Sequence, residues 1–317
     1  MQIKTPTVLI LATGGTIAGL SHAGGGGAYK AAQLSVDELM LSISQAVANG
    51  IHIETEQLAQ VDSKDMDFGV WRRLAQRLAW HVSRPEVAGV VVTHGTDTLE
   101  ETAFFLRSVL RLHKPVLLTA AMRPADSPEA DGPLNLMQAI ELAAQGGWAG
   151  VAVALHGALH DALWVRKVHP RAIDAFDSGE AGPLAVHNGQ RWVWRHRPQE
   201  SSAHGLWSAL PPSHTWPWVE LVHSHAGARA ETVDALVSAG VRGLVVVATG
   251  NGTVHQALEG ALEKAASCGV WVWRASRCVP YGLETQGSGR WHASEFIPCK
   301  ARIALMLNLM AQDRQGR

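Results

Sequence analysis

The stretch Thr7-Val8-Leu9-Ile10-Leu11-Ala12-Thr13-Gly14-Gly15-Thr16-Ile17-Ala18-Gly19 decides the fold. Residues 7–11 are apolar and largely β-branched, the composition of a strand buried on both faces. Such strands belong to sheets covered on both sides, most often parallel ones. Thr13 falls just past the carboxyl end, where open α/β sheets bind their ligands. Gly14 and Gly15 let the backbone turn there without a Cβ clash. Three readings compete for this turn. A phosphate cradle lacks both the GxxxxGK(S/T) and the GxGxxG spacing. A plain strand-to-loop turn is the default for the stretch alone. A nucleophile turn would present the Thr13 hydroxyl, and the rest of the chain decides.

Gly89-Val90-Val91-Val92-Thr93 reads as a second buried strand, leaving into His94-Gly95-Thr96-Asp97-Thr98-Leu99-Glu100-Glu101-Thr102. Thr98 and Glu101 have the spacing of a capping box. Thr96 and Asp97 then lie at a helix N-terminus, where free amides and the macrodipole favour an anion. Asp97 reads either as a structural cap or as an ionised partner for a ligand amine or a lysine. A third strand, within Lys114–Pro124, leaves in the same way, and Asp131-Gly132-Pro133 starts a helix with Pro133 suited to its first turn. Three strand ends thus place Thr13, Thr96 and Ala120-Ala121 on one edge of a sheet, which favours a site. Trp148–Leu155 reads as a fourth strand. Lys167 is an ordinary surface lysine unless it is drawn in beside Asp97.

Between these strands, Gly24-Gly25-Gly26-Gly27 before Tyr29 reads as a floppy loop or as the hinge of a lid. Ser35 and Glu38 form a second capping box, opening a helix through Ala48. Ile51–Glu54 alternates as a strand. Val61–Asp67 reads as a solvated loop with a helix N-cap at Asp67, before an amphipathic Trp71–Val82 helix. The Pro- and Ser-rich stretch from Arg195 to Pro217 reads as a linker. The expected organisation is an N-terminal α/β domain over residues 1–195, a linker over 196–217 and a C-terminal α/β domain over 218–317. In the latter, strands at Trp218–His223, Gly243–Ala248 and Val270–Arg274 alternate with helices at Ala230–Ala239, Val254–Ser267 and Ala301–Met310. Such alternation implies a parallel sheet with right-handed crossovers. The expected fold class is therefore two-domain α/β, with a larger, mostly parallel N-terminal sheet flanked by helices.

The 317 residues suit about two domains, and a net charge of −1 without a basic block argues against nucleic acid as a partner. The apolar runs fall well short of the ~18 residues that span a bilayer, and the N-terminus has no signal-peptide core, so a soluble cytoplasmic protein is expected. Cys268, Cys278 and Cys299 have no CxxC spacing and suggest no disulfide framework. Cys268 reads as helix core, and Trp271 and Trp273 share one strand face, which suggests packing. His156 and His160 could face one way on a helix, and His223 and His225 alternate on a strand, but neither pair has a third ligand. No metal and no cofactor are expected.

The chain resembles the bacterial L-asparaginase (asparaginase/glutaminase) family. The most diagnostic runs are Thr13-Gly14-Gly15-Thr16-Ile17-Ala18 and Thr93 to Thr102. Asp62-Ser63-Lys64-Asp65-Met66, Ala121-Met122-Arg123-Pro124 and Asp131-Gly132-Pro133-Leu134-Asn135-Leu136 support them. Order and spacing fit over nearly the whole chain. The resemblance implies a homotetramer of intimate dimers that hydrolyses L-asparagine to L-aspartate and ammonia. It matches Thr13 to the nucleophile and Tyr29 to the lid tyrosine that activates it. Thr96, Asp97 and Lys167 match a second Thr-Asp-Lys group. Ser63 and Asp97 match the residues that hold the substrate's α-carboxylate and α-amine, and Ala121 matches a backbone carbonyl near the substrate amide.

The residue types suit that chemistry. A threonine hydroxyl is a poor nucleophile that needs a base, and no histidine is placed by a motif to complete a serine-hydrolase triad. A lysine takes a proton only where its surroundings disfavour the ammonium, and Asp97 acts in the opposite sense on Lys167. Three positions depart from the family pattern. Lys64 stands where glutamine is common beside the substrate carboxylate, and Thr253 where many members have an asparagine. Gly287-Ser288-Gly289 lacks an acidic residue that helps hold the substrate amine. These departures bear on affinity and on the asparagine/glutamine ratio. Rival readings are a glutaminase-asparaginase or other small-amide hydrolase, a non-catalytic aspartate/asparagine-binding protein, and a tRNA-linked amidotransferase subunit. The last lacks an extra N-terminal domain and a basic patch.

Overall fold

Strand β1, Thr7–Gly14, is buried along its whole length. It lies one place in from the edge of an eight-stranded sheet, paired in parallel with β4 (His52–Val61) on one side and β5 (Val87–Thr93) on the other. The computed structural model describes residues 5–21, 29–41, 50–198, 210–278, 283 and 291–315. The chain forms two compact units, Met1–Leu210 and Pro211–Arg317. The division falls within the expected linker stretch, of which residues 199–209 lie outside those described.

In the first unit β2 (Leu20–Ser21) and β3 (Tyr29–Lys30) form a small antiparallel pair. The main sheet continues from β5 through β6 (Pro115–Thr119) and β7 (Gly150–Leu155), all parallel. It ends in three antiparallel strands, β8 (Ala158–Asp161), β11 (Ala185–His187) and β12 (Trp192–Trp194). A separate pair, β9 (Arg166–Lys167) and β10 (Phe176–Asp177), lies between β8 and β11 in sequence. The strand order is β12-β11-β8-β7-β6-β5-β1-β4. From β1 the chain goes outward to β4 and then returns to the other side of β1 as β5. The switch point of this doubly wound sheet is therefore between the carboxyl ends of β1 and β5, where such sheets open a crevice.

Both faces are covered. Val8, Ile10 and Ala12 pack against Val36 of α1 (Val36–Leu41) and against Leu136, Ala139 and Ile140 of the helix Gly132–Gln145. Leu9 and Leu11 alternate to the opposite face. Helices Phe68–Ser83 (α2) and Leu99–Val109 (α3) pack on β5 and β7 respectively, and Gly132–Gln145 is α4. In α2, Asp67 caps the N-terminus by accepting from Val70 N. The Ser35–Glu38 capping box is formed in both directions.

The second unit is an all-parallel sheet, β13 (Val219–His223), β14 (Gly243–Ala248), β15 (Trp271–Ser276) and β16 (His292–Ala293), in that order. Val222, Leu244 and Val246 pack against Val233 of α5 (Glu231–Ser238) and Leu258 and Leu262 of α6 (Gln256–Ser267). Helix α7 (Pro298–Gln315) contacts β13, β14 and β15. The two-domain α/β class is as expected, with the larger sheet mixed rather than wholly parallel.

Several local expectations are corrected. The Thr98 half of the Thr98–Glu101 capping box does not form; Thr98 makes no side-chain cap bond. Cys268 is not core but exposed at the end of α6, because the chain turns away there through Gly269, at φ +88°. Trp273 packs over His292, whereas Trp271, at the start of the strand, is exposed. His156 and His160 lie on a tight turn and on β8 instead of one helix face. The expected helix through Ala48 is present over Val36–Leu41, and its remainder, residues 42–48, lies outside the described residues.

Candidate active site at the switch point

Thr13 is 1% exposed, and its hydroxyl donates to the Thr93 carbonyl at 2.8 Å. The β1 and β5 ends are thereby tied together across the switch point. Gly15, at φ +85°, presses on the next turn: a Cβ there would lie 2.3 Å from Gly95 N. A Cβ on Gly95 would in turn lie 2.5 Å from Ser63 Oγ. Gly15 and Gly95 thus meet backbone to backbone, and Gly95 lies against the Ser63 side chain, which only glycine permits at such distances.

Ser63 opens a 3₁₀ turn, Ser63–Asp65, after β4 and is 2% exposed. The stretch read as a solvated loop is therefore folded inward at this residue. Ser63 Oγ accepts from Asp97 N at 3.2 Å, and the Ser63 carbonyl accepts from Thr98 Oγ1 at 2.7 Å. The second bond explains the missing Thr98 cap, since the Thr98 hydroxyl is committed to the neighbouring turn. Having accepted from Asp97, the Ser63 hydroxyl keeps its own proton to donate.

Lys167, on β9, is drawn in beside the β5 exit. Its Nζ donates to Thr96 Oγ1 at 2.9 Å and to Asp97 Oδ1 at 2.7 Å. Its backbone N–H donates to the Glu100 carboxylate, in the first turn of α3. Thr96 is buried, while the Lys167 and Asp97 side chains are 18% and 52% exposed. A pair as open as this contributes at most about 1 kcal/mol to stability, so its value is positional. Asp97 keeps its second oxygen for another donor.

The Ala120-Ala121 exit of β6 is held from α4. Asp131 does not cap its helix; its carboxylate accepts from Met122 N and Arg123 N, both at 3.0 Å. Asn135 Nδ2 donates to Ala120 O at 3.0 Å, and its Oδ1 accepts from His156 N at 2.9 Å. Ala121 itself is fully buried.

Other expected site residues lie elsewhere or beyond description. The backbone of Tyr29 pairs with Ser21, while its side chain lies outside the described residues. Lys64 is 61% exposed and bonded within its own turn, to Asp62 at 2.6 Å and Asp65 at 3.2 Å. Those carboxylates hold its ammonium proton more firmly than usual. Thr253 is in the second unit, exposed, and closes a turn with Thr249 through hydroxyl contacts of 2.8 and 3.0 Å. Gly287-Ser288-Gly289 lies outside the described residues. Among the described residues no three His, Cys, Asp or Glu side chains converge as metal ligands.

Sequence reasoning missed Asp131, Asn135 and Glu100 as supports of the site. Each sits in a helix first turn, where a cap is the expected role, and only the tertiary fold shows which backbone it holds. His94 was passed over because no motif gives it a partner.

Residues 7–200 match the family model described as "Asparaginase, N-terminal", and residues 218–316 that of the "Glutaminase/Asparaginase C-terminal domain". The chain is 36% identical over 313 residues to a protein of Haemophilus influenzae named "Probable L-asparaginase periplasmic", covering 96% of this chain and 88% of the relative. It is 34% identical to "L-asparaginase 2" of Escherichia coli, covering 97% of this chain and 90% of the relative. The crystal structure of a probable cytoplasmic L-asparaginase from Campylobacter jejuni superposes with a TM-score of 0.87 at 31% identity, covering 96% of this chain and 95% of the other.

Proposed function

The chain belongs to the asparaginase family, and from that premise we propose that it hydrolyses L-asparagine to L-aspartate and ammonia with Thr13 as nucleophile. One observation carries this reading. The Thr13 hydroxyl sits at the switch point, beside the strand end that bears Thr96 and Asp97 with Lys167 bonded to both. The reaction is a double displacement. Thr13 Oγ1 attacks the side-chain amide carbon, its proton passes to the leaving nitrogen, and ammonia departs from a β-aspartyl ester. Water then cleaves the ester, returning the proton to Thr13.

In the resting arrangement the Thr13 proton is directed at the Thr93 carbonyl, which is no base. Attack therefore requires the hydroxyl to turn toward a proton acceptor. Tyr29 is the proposed partner. Lys167, donating to two oxygens, orients Asp97 and polarises Thr96, and takes a proton only after losing its own. The free oxygen of Asp97 takes the substrate's α-amine, and the Ser63 hydroxyl its α-carboxylate. The Ala121 carbonyl receives an N–H of the side-chain amide. Backbone amides at the strand ends stabilise the oxyanion. Thr253 is proposed as a further substrate contact. Lys64, tied to Asp62 and Asp65, is proposed to act on the substrate carboxylate only through its charge.

The assembly we propose is a homotetramer, checked by mass in solution. No helix among the described residues is long and apolar enough to cross a membrane. Cys268 and Cys278, both exposed and outside any disulfide, fit a reducing compartment, and the cytoplasm is the proposed location, checked by cell fractionation.

The test is ammonia release from L-asparagine and L-glutamine by the wild type and Thr13→Val. Release from asparagine that Thr13→Val abolishes supports the reading. Near-normal turnover by the variant refutes the assignment of Thr13. A wild type that binds aspartate tightly without releasing ammonia would make this a binding protein.

A further inference from the structure

We propose that His94 is a positioning residue: its buried ring, held by Thr102 and Trp71, locks the Gly95–Thr96 peptide that carries the Thr96 side of the site. The inference rests on the proposed role of the Thr13 and Thr96 strand ends. His94 is fully buried on the exit of β5, and no step of the hydrolysis uses it. Its Nδ1 is 2.7 Å from Gly95 O and its Nε2 is 2.9 Å from Thr102 Oγ1 on α3. Trp71 Nε1, from α2, lies 2.8 Å from the same Thr102 oxygen.

Only one arrangement of protons satisfies these contacts. A carbonyl only accepts, so Nδ1 carries the hydrogen. The neutral ring then presents a lone pair at Nε2, and Thr102 must donate to it. An indole N–H only donates, so Thr102 Oγ1 accepts from Trp71. Every donor is used, with none left to reverse the chain. Burial lowers the His94 pKa to about 4, so the ring stays neutral at physiological pH.

The peptide held in this way is the one most in need of it. Gly95 has no side chain to restrict rotation, and its Cα is wedged between Gly15 and Ser63. With Gly95 O fixed on the ring, the trans peptide turns the Thr96 N–H away from the ring. Thr96 Oγ1, the acceptor of Lys167 Nζ, hangs from that plane. Trp71, the far end of the chain, is immobilised by stacking on Phe105 at 4.8 Å and 14°. Three elements, α2, α3 and β5, thus converge on one peptide bond.

Thr102→Val is nearly isosteric and removes the hydroxyl that joins His94 to Trp71; Thr102→Ser keeps it. The expected result for Thr102→Val is a kcat lowered about tenfold or more, with KM for L-asparagine within about threefold. Thr102→Ser should recover kcat to within about threefold of wild type. On imidazole-labelled wild type, nitrogen NMR should show His94 as the Nδ1–H tautomer without titration between about pH 8 and pH 5. The inference is overturned by unchanged kcat in Thr102→Val, by equal losses in both variants, or by the Nε2–H tautomer. A wild type that releases no ammonia removes the proposed hydrolysis and this inference together; turnover indifferent to Thr102→Val removes this inference alone.

Discussion

Lys167 and Lys64 are the two lysines given a part in the proposed chemistry, and their surroundings assign them different weight. Lys167 donates to Thr96 and Asp97 from a half-buried position. Lys167→Met keeps the length of the side chain and loses both bonds. It should lower kcat roughly 10²–10⁴-fold, the range for a lost proton-handling group, while unfolding free energy changes by less than about 1 kcal/mol. Steady-state kinetics and urea unfolding check both parts. Lys64 is exposed and satisfied within its own turn. Lys64→Ala should therefore change KM by less than about threefold and stability by less than about 0.5 kcal/mol; a tenfold rise in KM would restore it as a direct substrate contact. The places of Thr13, Thr96 and Asp97, at or just beyond the ends of strongly apolar strands, were legible from sequence. Ser63 was half-legible. Its family match was plain, but its polar neighbours read as solvated, and nothing local shows that the turn folds beneath Gly95.

Among the elements, the turns after β1, β5 and β6 carry the site, and two kinds of constraint hold them. The first is steric. Gly15→Ala would place a Cβ 2.3 Å from Gly95 N at φ +85°; both are backbone features that cannot give way. The variant should lose several kcal/mol, about 3 or more, and most of its activity, as thermal unfolding and ammonia release would show. The second is hydrogen bonding. Asn135 joins the β6 and β7 exits through Ala120 O and His156 N. Asn135→Ala leaves the buried Ala120 carbonyl without this partner, at about 1–3 kcal/mol, and releases the part-buried His156 amide; the denaturant midpoint should fall accordingly. Caps that serve only their own helix, Ser35 with Glu38 and Asp67 with Val70, were read correctly from sequence. Thr98 was not, because its hydroxyl bonds the distant Ser63 turn and spacing carries no information about that turn.

Across the whole molecule, the parallel sheets were legible from β-branched runs alternating with helices. The antiparallel β8, β11 and β12 were not, since strands of 4, 3 and 3 residues are too short to show a period. The titratable groups also divide unevenly. Burial holds His94 and His160 of the first unit near pKa 4, below the usual 6.5. Folding keeps them neutral while the unfolded chain protonates, so their contribution is full above about pH 6.5 and declines as pH falls toward 4, by roughly 3 kcal/mol each at most. Arg84 and Arg77 lower the carboxyls of Glu54 and Glu56; that contribution is present above the ordinary glutamate range and is lost below it. Hydrogen exchange at pH 5 against pH 7.5 should therefore loosen the unit Met1–Leu210 more than Pro211–Arg317, and the reverse order would contradict this balance of charges. Acid-quenching the protein with L-asparagine during turnover and mass-analysing its peptides should find one aspartyl group on the peptide bearing Thr13, absent from Thr13→Val. An adduct on a different residue, or turnover by Thr13→Val at the wild-type rate, would contradict the account.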